Sequence, residues 1–125
     1  MNLIPRLSKG RWAEELAQQY LIQRGLTPLT QNYRCKWGEI DLILRDGNIL
    51  VFVEVRYRQH QQYGGGISSI TAQKQQRIAS TAQHYLQQQR FVQLPTCRFD
   101  AVILSHSATN TAPDILWLKD AFRLT

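Results

Sequence analysis

The chain has 125 residues, 43% of them hydrophobic, and carries 15 Lys and Arg against 9 Asp and Glu, a formal net charge of +6. That length suits one domain around a single core. No aliphatic run approaches the roughly 20 residues a membrane span needs, and Met1–Arg6 lacks the apolar stretch of a secretion signal, so the expected setting is cytoplasmic.

Eleven of the fifteen cationic residues are arginines, whose planar fork suits bidentate contact with phosphate. The basic balance fits a nucleic-acid partner, although a basic chain is not by itself a nucleic-acid binder. Cys35 and Cys97 have no metal-type spacing and are expected to be reduced thiols rather than a disulfide.

In chain order, Ser8 can cap a helix that runs to about Arg24, with Gly25 as its stop. Its apolar stripe is Ala13, Leu16, Ala17, Tyr20 and Leu21. Glu14 lies at the edge of that stripe, and Glu15 falls on the wetter side. Residues 27–36 read as a connection, with room for a short strand around Leu29–Tyr33.

Two aliphatic runs follow, Gly38–Ile43 and Val51–Arg56, joined through Asp46-Gly47-Asn48. Asp-Gly between such runs is a hairpin signal, because Gly takes φ > 0 at no steric cost. Side-chain alternation puts Glu39, Asp41 and Ile43 on one face of the first strand, and Phe52, Glu54 and Arg56 together on the second. A four-residue loop sets Asp41 opposite Glu54, and a two-residue loop sets them diagonal. In both registers one face is a wholly aliphatic core face and the other gathers Glu39, Asp41, Glu54 and Arg56.

A loop over 58–69 contains Gly64-Gly65-Gly66, a weak signal for close approach to a ligand. A second helix starts at Ser69 or Thr71 and runs to about Gln89, burying Ile78, Ala82, Tyr85 and Leu86. Lys74 stands on that stripe, where a charge is unexpected. It either snorkels to the helix end or aims a cation at the carboxylate face. Arg98–Leu104 reads as a strand, with Asp100 as a buried arginine partner in preference to a further site acid. Ile115–Leu118 is a short last strand.

Acidic residues are depleted from strands, and like charges facing across a pair cost up to about 1 kcal/mol. Asp41 and Glu54 together therefore ask for a cation. Mg²⁺ typically takes one or two protein carboxylates and completes its shell with water and substrate phosphate, so the pair could form such a half-shell with Arg56 beside it. The competing reading is a surface sheet face laced with ion pairs from Arg45, Arg56 or Arg58 to Glu39 and Glu54. His60, His84 and His106 are isolated, and no Gly-x-Ser-x-Gly or phosphate-loop string occurs.

Gly10–Ala17, Tyr20-Leu21, Gly25, Asn32-Tyr33-Arg34, Gly38–Ile43, Val51–Arg56, Lys74 and Arg98-Phe99-Asp100 together resemble the YraN family, over about residues 10–104. That bacterial family is related in fold to archaeal Holliday-junction resolvases. The resemblance implies an α/β (α+β) restriction-endonuclease-like fold, a mixed β-sheet flanked by helices in an αβββαβ-like order, with a PD-(D/E)xK-type site. Carried over residue by residue, Asp41 matches the motif acid, Glu54 the (D/E), and Glu14 the acid on the first helix.

Two positions depart from the motif. Ile40 stands where the proline would, and Arg56 where the lysine would. Arginine is not deprotonated at working pH, so Arg56 could position water or stabilise phosphate charge but not act as a base. Lys74 could supply the missing amine from the second helix.

The resemblance thus implies a nuclease using Mg²⁺ (or Mn²⁺) on branched or structured DNA. Asp41 and Glu54 hold the metal, Glu14 completes the shell or orients water, and Arg56 and Lys74 contact the scissile phosphate. Arg34, Lys36, Arg56, Arg58 and Lys74 are the expected nucleic-acid contacts, and a homodimer is among the expectations. The alternatives are a catalytically weak or inactive nucleic-acid-binding accessory protein that keeps the fold, and a protein-interaction module.

Overall fold

The computed structural model describes residues 9–58, 70–106 and 112–123. Ser8, His60 and the Gly64-Gly65-Gly66 run lie outside them. Helix α1 (Lys9–Gln23) buries Ala13, Ala17 and Leu21 at four-residue spacing. Its end follows from Gly25, whose φ is 98°. The Leu26 N–H donates to Leu21 O at 3.1 Å and the Gly25 N–H to Ile22 O at 3.0 Å, the two bonds of a Schellman stop.

Strand β1 (Thr27–Cys35) extends the short strand around Leu29–Tyr33 over nearly the whole segment that reads as a connection. It is nine residues long and largely polar because it forms one edge of the sheet, where its outer side meets solvent. An edge also tolerates Pro28, and the register slips between Pro28 and Thr30.

Strands β2 (Gly38–Asp46) and β3 (Ile49–Arg58) pair antiparallel from Asp46↔Ile49 to Leu42↔Val53. The reversal centres on Gly47-Asn48, with Gly47 at φ 61°. A two-residue connection thus goes with the register that sets Asp41 level with Glu54, not with the diagonal one expected for it. The turn is one residue later than Asp46-Gly47.

Helix α2 (Ala72–Gln88) is the crossover to β4 (Thr96–Ser105), which runs parallel to β3. Thr71 caps it, its Oγ1 accepting the Lys74 N–H at 3.1 Å. Strand β5 (Asp114–Leu118) pairs antiparallel with β4 and ends a five-stranded mixed sheet in the order β1-β2-β3-β4-β5. The fold is α+β, a mixed sheet flanked by two helices.

The sheet has two buried faces where one was expected. Leu42, Leu44, Val51, Val53, Val102 and Leu104 pack beneath α1. Ile43, Leu50, Phe52 and Ala101 pack beneath Ile78, Ala82 and Tyr85 of α2. Ile40 packs there too and not with Leu42 and Leu44, so the expected alternation along β2 breaks at Asp41. The face of Glu54 is therefore apolar for most of its length, because the βαβ crossover lays α2 over it. The charges are confined to one end.

Candidate functional site

Asp41 sits where the sheet opens. The β2–β3 ladder ends at Leu42↔Val53, and one step on the Asp41 Oδ2 accepts the Val55 N–H at 2.7 Å. On the other side the β1–β2 ladder passes from Gln31↔Leu42 to Tyr33↔Ile40, and the skipped Asn32 is left-handed at φ 53°. Asn is among the few residues that adopt that conformation readily. The interruption on both sides lets carboxylates from different layers converge on one carboxyl group. Glu14 of α1 and Glu54 of β3 each share a hydrogen bond with Asp41.

Burial and the adjacent Glu54 charge push the Asp41 carboxyl up to about 8, with Glu14 adding to the shift and the Val55 amide opposing it. The Glu14 carboxyl is raised as well, by burial first, while the Asn32 side chain bonded to it pulls the other way. Glu54 is only 5% exposed at its side chain, and two cations meet its Oε2. Arg56 Nη2 lies at 3.1 Å and Lys74 Nζ at 3.3 Å. Of the two readings of Lys74, the side chain takes the one that aims a cation at the carboxylates. Arg56 Nε is buried without a hydrogen-bond partner, and such a donor calls for an explanation, for example a ligand that completes its network.

Glu14, Asp41, Glu54, Arg56 and Lys74 are thus brought together. Arg34 and Lys36 lie on the β1–β2 hairpin, Arg34 beside Glu39 at 3.4 Å and Lys36 over the Trp37 ring. Arg58 ends β3 level with Ser105 of β4. The surface-pair reading is met in part: Glu54 does pair with Arg56, although its carboxylate is buried, and Glu39 pairs with Arg34 instead of Arg45, Arg56 or Arg58. Asn32 is the site residue that residue-by-residue reading misses as a partner of Glu14. Its signal was an Asn within a strand segment, a residue type that itself readily takes the left-handed conformation it has here.

Asp100 is a structural acid. Fully buried, it accepts from Arg98 Nε at 2.8 Å and Nη2 at 2.9 Å, from Trp117 Nε1 at 2.9 Å and from the Asp120 N–H at 2.9 Å. His84 Nδ1 pairs with the Tyr33 hydroxyl and His106 Nδ1 with that of Tyr57, at separate places. Both cysteines are free thiols.

The donor set suits a hard divalent cation as a half-shell. Asp41 and Glu54 offer only carboxylate oxygens, the ligands Mg²⁺ and Mn²⁺ favour. Burial first, and the Glu54 charge second, make the Asp41 carboxylate costly to ionise, a cost that a cation would offset. Among the described residues no group of three or more His, Cys, Asp or Glu forms a ready cage. Water and substrate oxygens would complete the shell. Among the same residues no helix is long and apolar enough to cross a membrane.

Comparison with known proteins places this geometry in a family. The model described as "Uncharacterised protein family UPF0102" matches residues 13–104, which bears out the YraN resemblance. A "UPF0102 protein" of Nitrosococcus oceani is 49% identical over 116 residues, covering 93% of this chain and 92% of the relative. One from Methylobacillus flagellatus is 49% identical over 113 residues, 90% and 95% of the two chains. One from Aeromonas hydrophila is 46% identical over 123 residues, 97% and 90%. These names state no activity.

Proposed function

The chain belongs to the uncharacterised protein family UPF0102, and on that footing we propose that it is a divalent-metal-dependent nuclease acting on branched or otherwise structured DNA. The observation that carries this reading is that the Glu14 and Glu54 carboxyls both meet that of Asp41, with two cations on Glu54. The resemblance to restriction-endonuclease-like proteins agrees with a site at the opening of a mixed sheet.

Asp41 and Glu54 would hold Mg²⁺ or Mn²⁺, which when bound neutralises phosphate charge and lowers the pKa of water. Val55 fixes one Asp41 oxygen, so the carboxylate is oriented before any ligand arrives. Glu14, hydrogen-bonded to Asp41, is placed to orient the attacking water. Arg56 and Lys74, both on Glu54, are the groups that turn toward the scissile phosphate and offset its developing charge. Arg56 does so as a permanent cation, and Lys74 stands for the amine that the motif carries two residues after Glu54.

Cleavage of junction, flap and linear DNA with Mg²⁺ or Mn²⁺ tests the reading. Wild type is expected to cut at least one branched substrate and Asp41→Ala none. Equal inertness of both proteins on every substrate overturns it.

One observation favours a second reading. Glu54 Oε2 is already neutralised by two cations, the arrangement of a binding protein that keeps the fold without the reaction. That protein would bind DNA in a salt-sensitive way, and binding would persist in Asp41→Ala and Glu54→Ala.

A further inference from the structure

Trp37 is half exposed, at 51%, at the turn between β1 and β2. An indole left in water forgoes the burial that makes aromatic side chains valuable, and that of Trp37 stays in water. Its backbone N–H donates to Cys35 Sγ at 3.4 Å, and Lys36 Nζ stands 4.9 Å from the ring centroid. The turn is also set close against α2. A Cβ at Gly38 would lie 3.4 Å from Thr81 Oγ1 and 3.7 Å from Arg77 Cβ.

Lys74 and Arg77 are three residues apart on α2, hence neighbours on one helix face. Lys36 is thus at the ring, Arg34 lies three residues before it in the chain and Arg77 faces the adjoining Gly38. Asp41 is four residues on from Trp37, along β2. At ~3.3 Å per strand residue that is about 13 Å.

An exposed aromatic beside a cation, one strand-length from a carboxylate site, is what unpaired nucleotides recognise. Their phosphates follow the positive charge and their exposed faces stack on the ring. A blunt duplex keeps its base faces covered. We propose that Trp37 stacks on an unpaired DNA base beside the site, so that the protein takes DNA with single-stranded character over blunt duplex. This rests on the nucleic-acid reading of the site, but not on cleavage.

The test is metal-free binding at low salt to a single-stranded oligonucleotide, a forked duplex and a blunt duplex, followed by tryptophan fluorescence and by competition. The quenching present in wild type and missing in Trp37→Phe reports Trp37 alone. Stacking predicts such quenching with single strand and fork. It also predicts a roughly tenfold affinity loss for both in Trp37→Ala, near-wild-type affinity in Trp37→Phe and unchanged duplex affinity. Equal affinity of Trp37→Ala and wild type for the fork overturns the proposal. So does an equal loss on fork and duplex, or a lowered Tm that accounts for the change. Stacking without cleavage under Mg²⁺ removes the nuclease and leaves this inference standing, whereas failure of wild type to bind all three DNAs removes both.

Discussion

Asp41 and Val55 are joined across the opening of the sheet by a 2.7 Å hydrogen bond in which the carboxylate accepts the backbone amide. The bond stands where the β2–β3 ladder has just ended, so a side chain replaces a main-chain partner and the amide does not go unpaired. The same bond fixes the direction of a carboxyl that is buried and crowded by Glu54 and Glu14. Structure and reactivity meet in that single contact. It closes the fold locally and leaves the chain with a carboxyl that ionises at a cost.

The first consequence is a pH dependence. Because the folded carboxyl is raised from 3.8 to about 8, the native state keeps a proton that the unfolded chain has already lost. Stability is therefore expected to be fully present below about pH 4 and to decline as pH rises toward 8, with the raised Glu14 acting in the same direction. Asp41→Asn retains an acceptor for Val55 and removes the charge. Thermal unfolding between pH 4 and 9 should show it more stable than wild type by about 1 kcal/mol or more at pH 8, with the gap closing toward pH 4. A gap independent of pH contradicts the assignment.

A second consequence concerns metal. A cation at Asp41 and Glu54 competes with the proton, so Mg²⁺ or Mn²⁺ should raise the Tm of wild type more at pH 8 than at pH 6. At ten times Kd the gain is about 1.4 kcal/mol. Asp41→Asn should lose most of it. Equal gains in the two proteins would place the ion elsewhere.

Much of this arrangement is legible in the sequence, and the exceptions have physical causes. Gly25 and Thr71 mark helix ends because their local chemistry is sufficient, and Asp46-Gly47-Asn48 marks the hairpin for the same reason. Of the strand over Thr27–Cys35 only the middle, Leu29–Tyr33, is legible, because an edge strand need not be apolar. The second core is missed since Ile43 and Phe52 share their face with Asp41 and Glu54, and only the position of α2 shows which end is covered. Lys74 stands out as a charge on an apolar stripe, but the carboxylate it meets depends on the crossover. The meeting of Glu14 with Asp41 is tertiary, and it is implied by family resemblance and not by spacing.

Lys74 supplies a third prediction. Its Nζ, 3.3 Å from Glu54 Oε2 and 39% exposed, is close enough to solvent to reach a phosphate. Lys74→Gln should weaken binding to all DNA sequences alike and lower the slope of log affinity against log salt by about 1. An unchanged slope would confine Lys74 to a structural ion pair.

Asp100 supplies the fourth, with the opposite character. Asp100→Ala leaves Arg98 with Asp46 alone and strands the Trp117 indole N–H, and is expected to cost about 3 kcal/mol in chemical denaturation. Where the variant is still folded, metal affinity at Asp41 should be unchanged. A selective loss of metal binding without loss of stability would make Asp100 part of the site.

The central claim is that Asp41 and Glu54 hold one divalent cation between the strands. Anomalous diffraction from crystals soaked in millimolar Mn²⁺ addresses it directly. The account predicts one peak within coordination distance, about 2.0–2.3 Å, of a carboxylate oxygen of each residue, absent in Asp41→Asn. Wild-type crystals with no peak there, and with Arg56 and Lys74 still on Glu54, would contradict it.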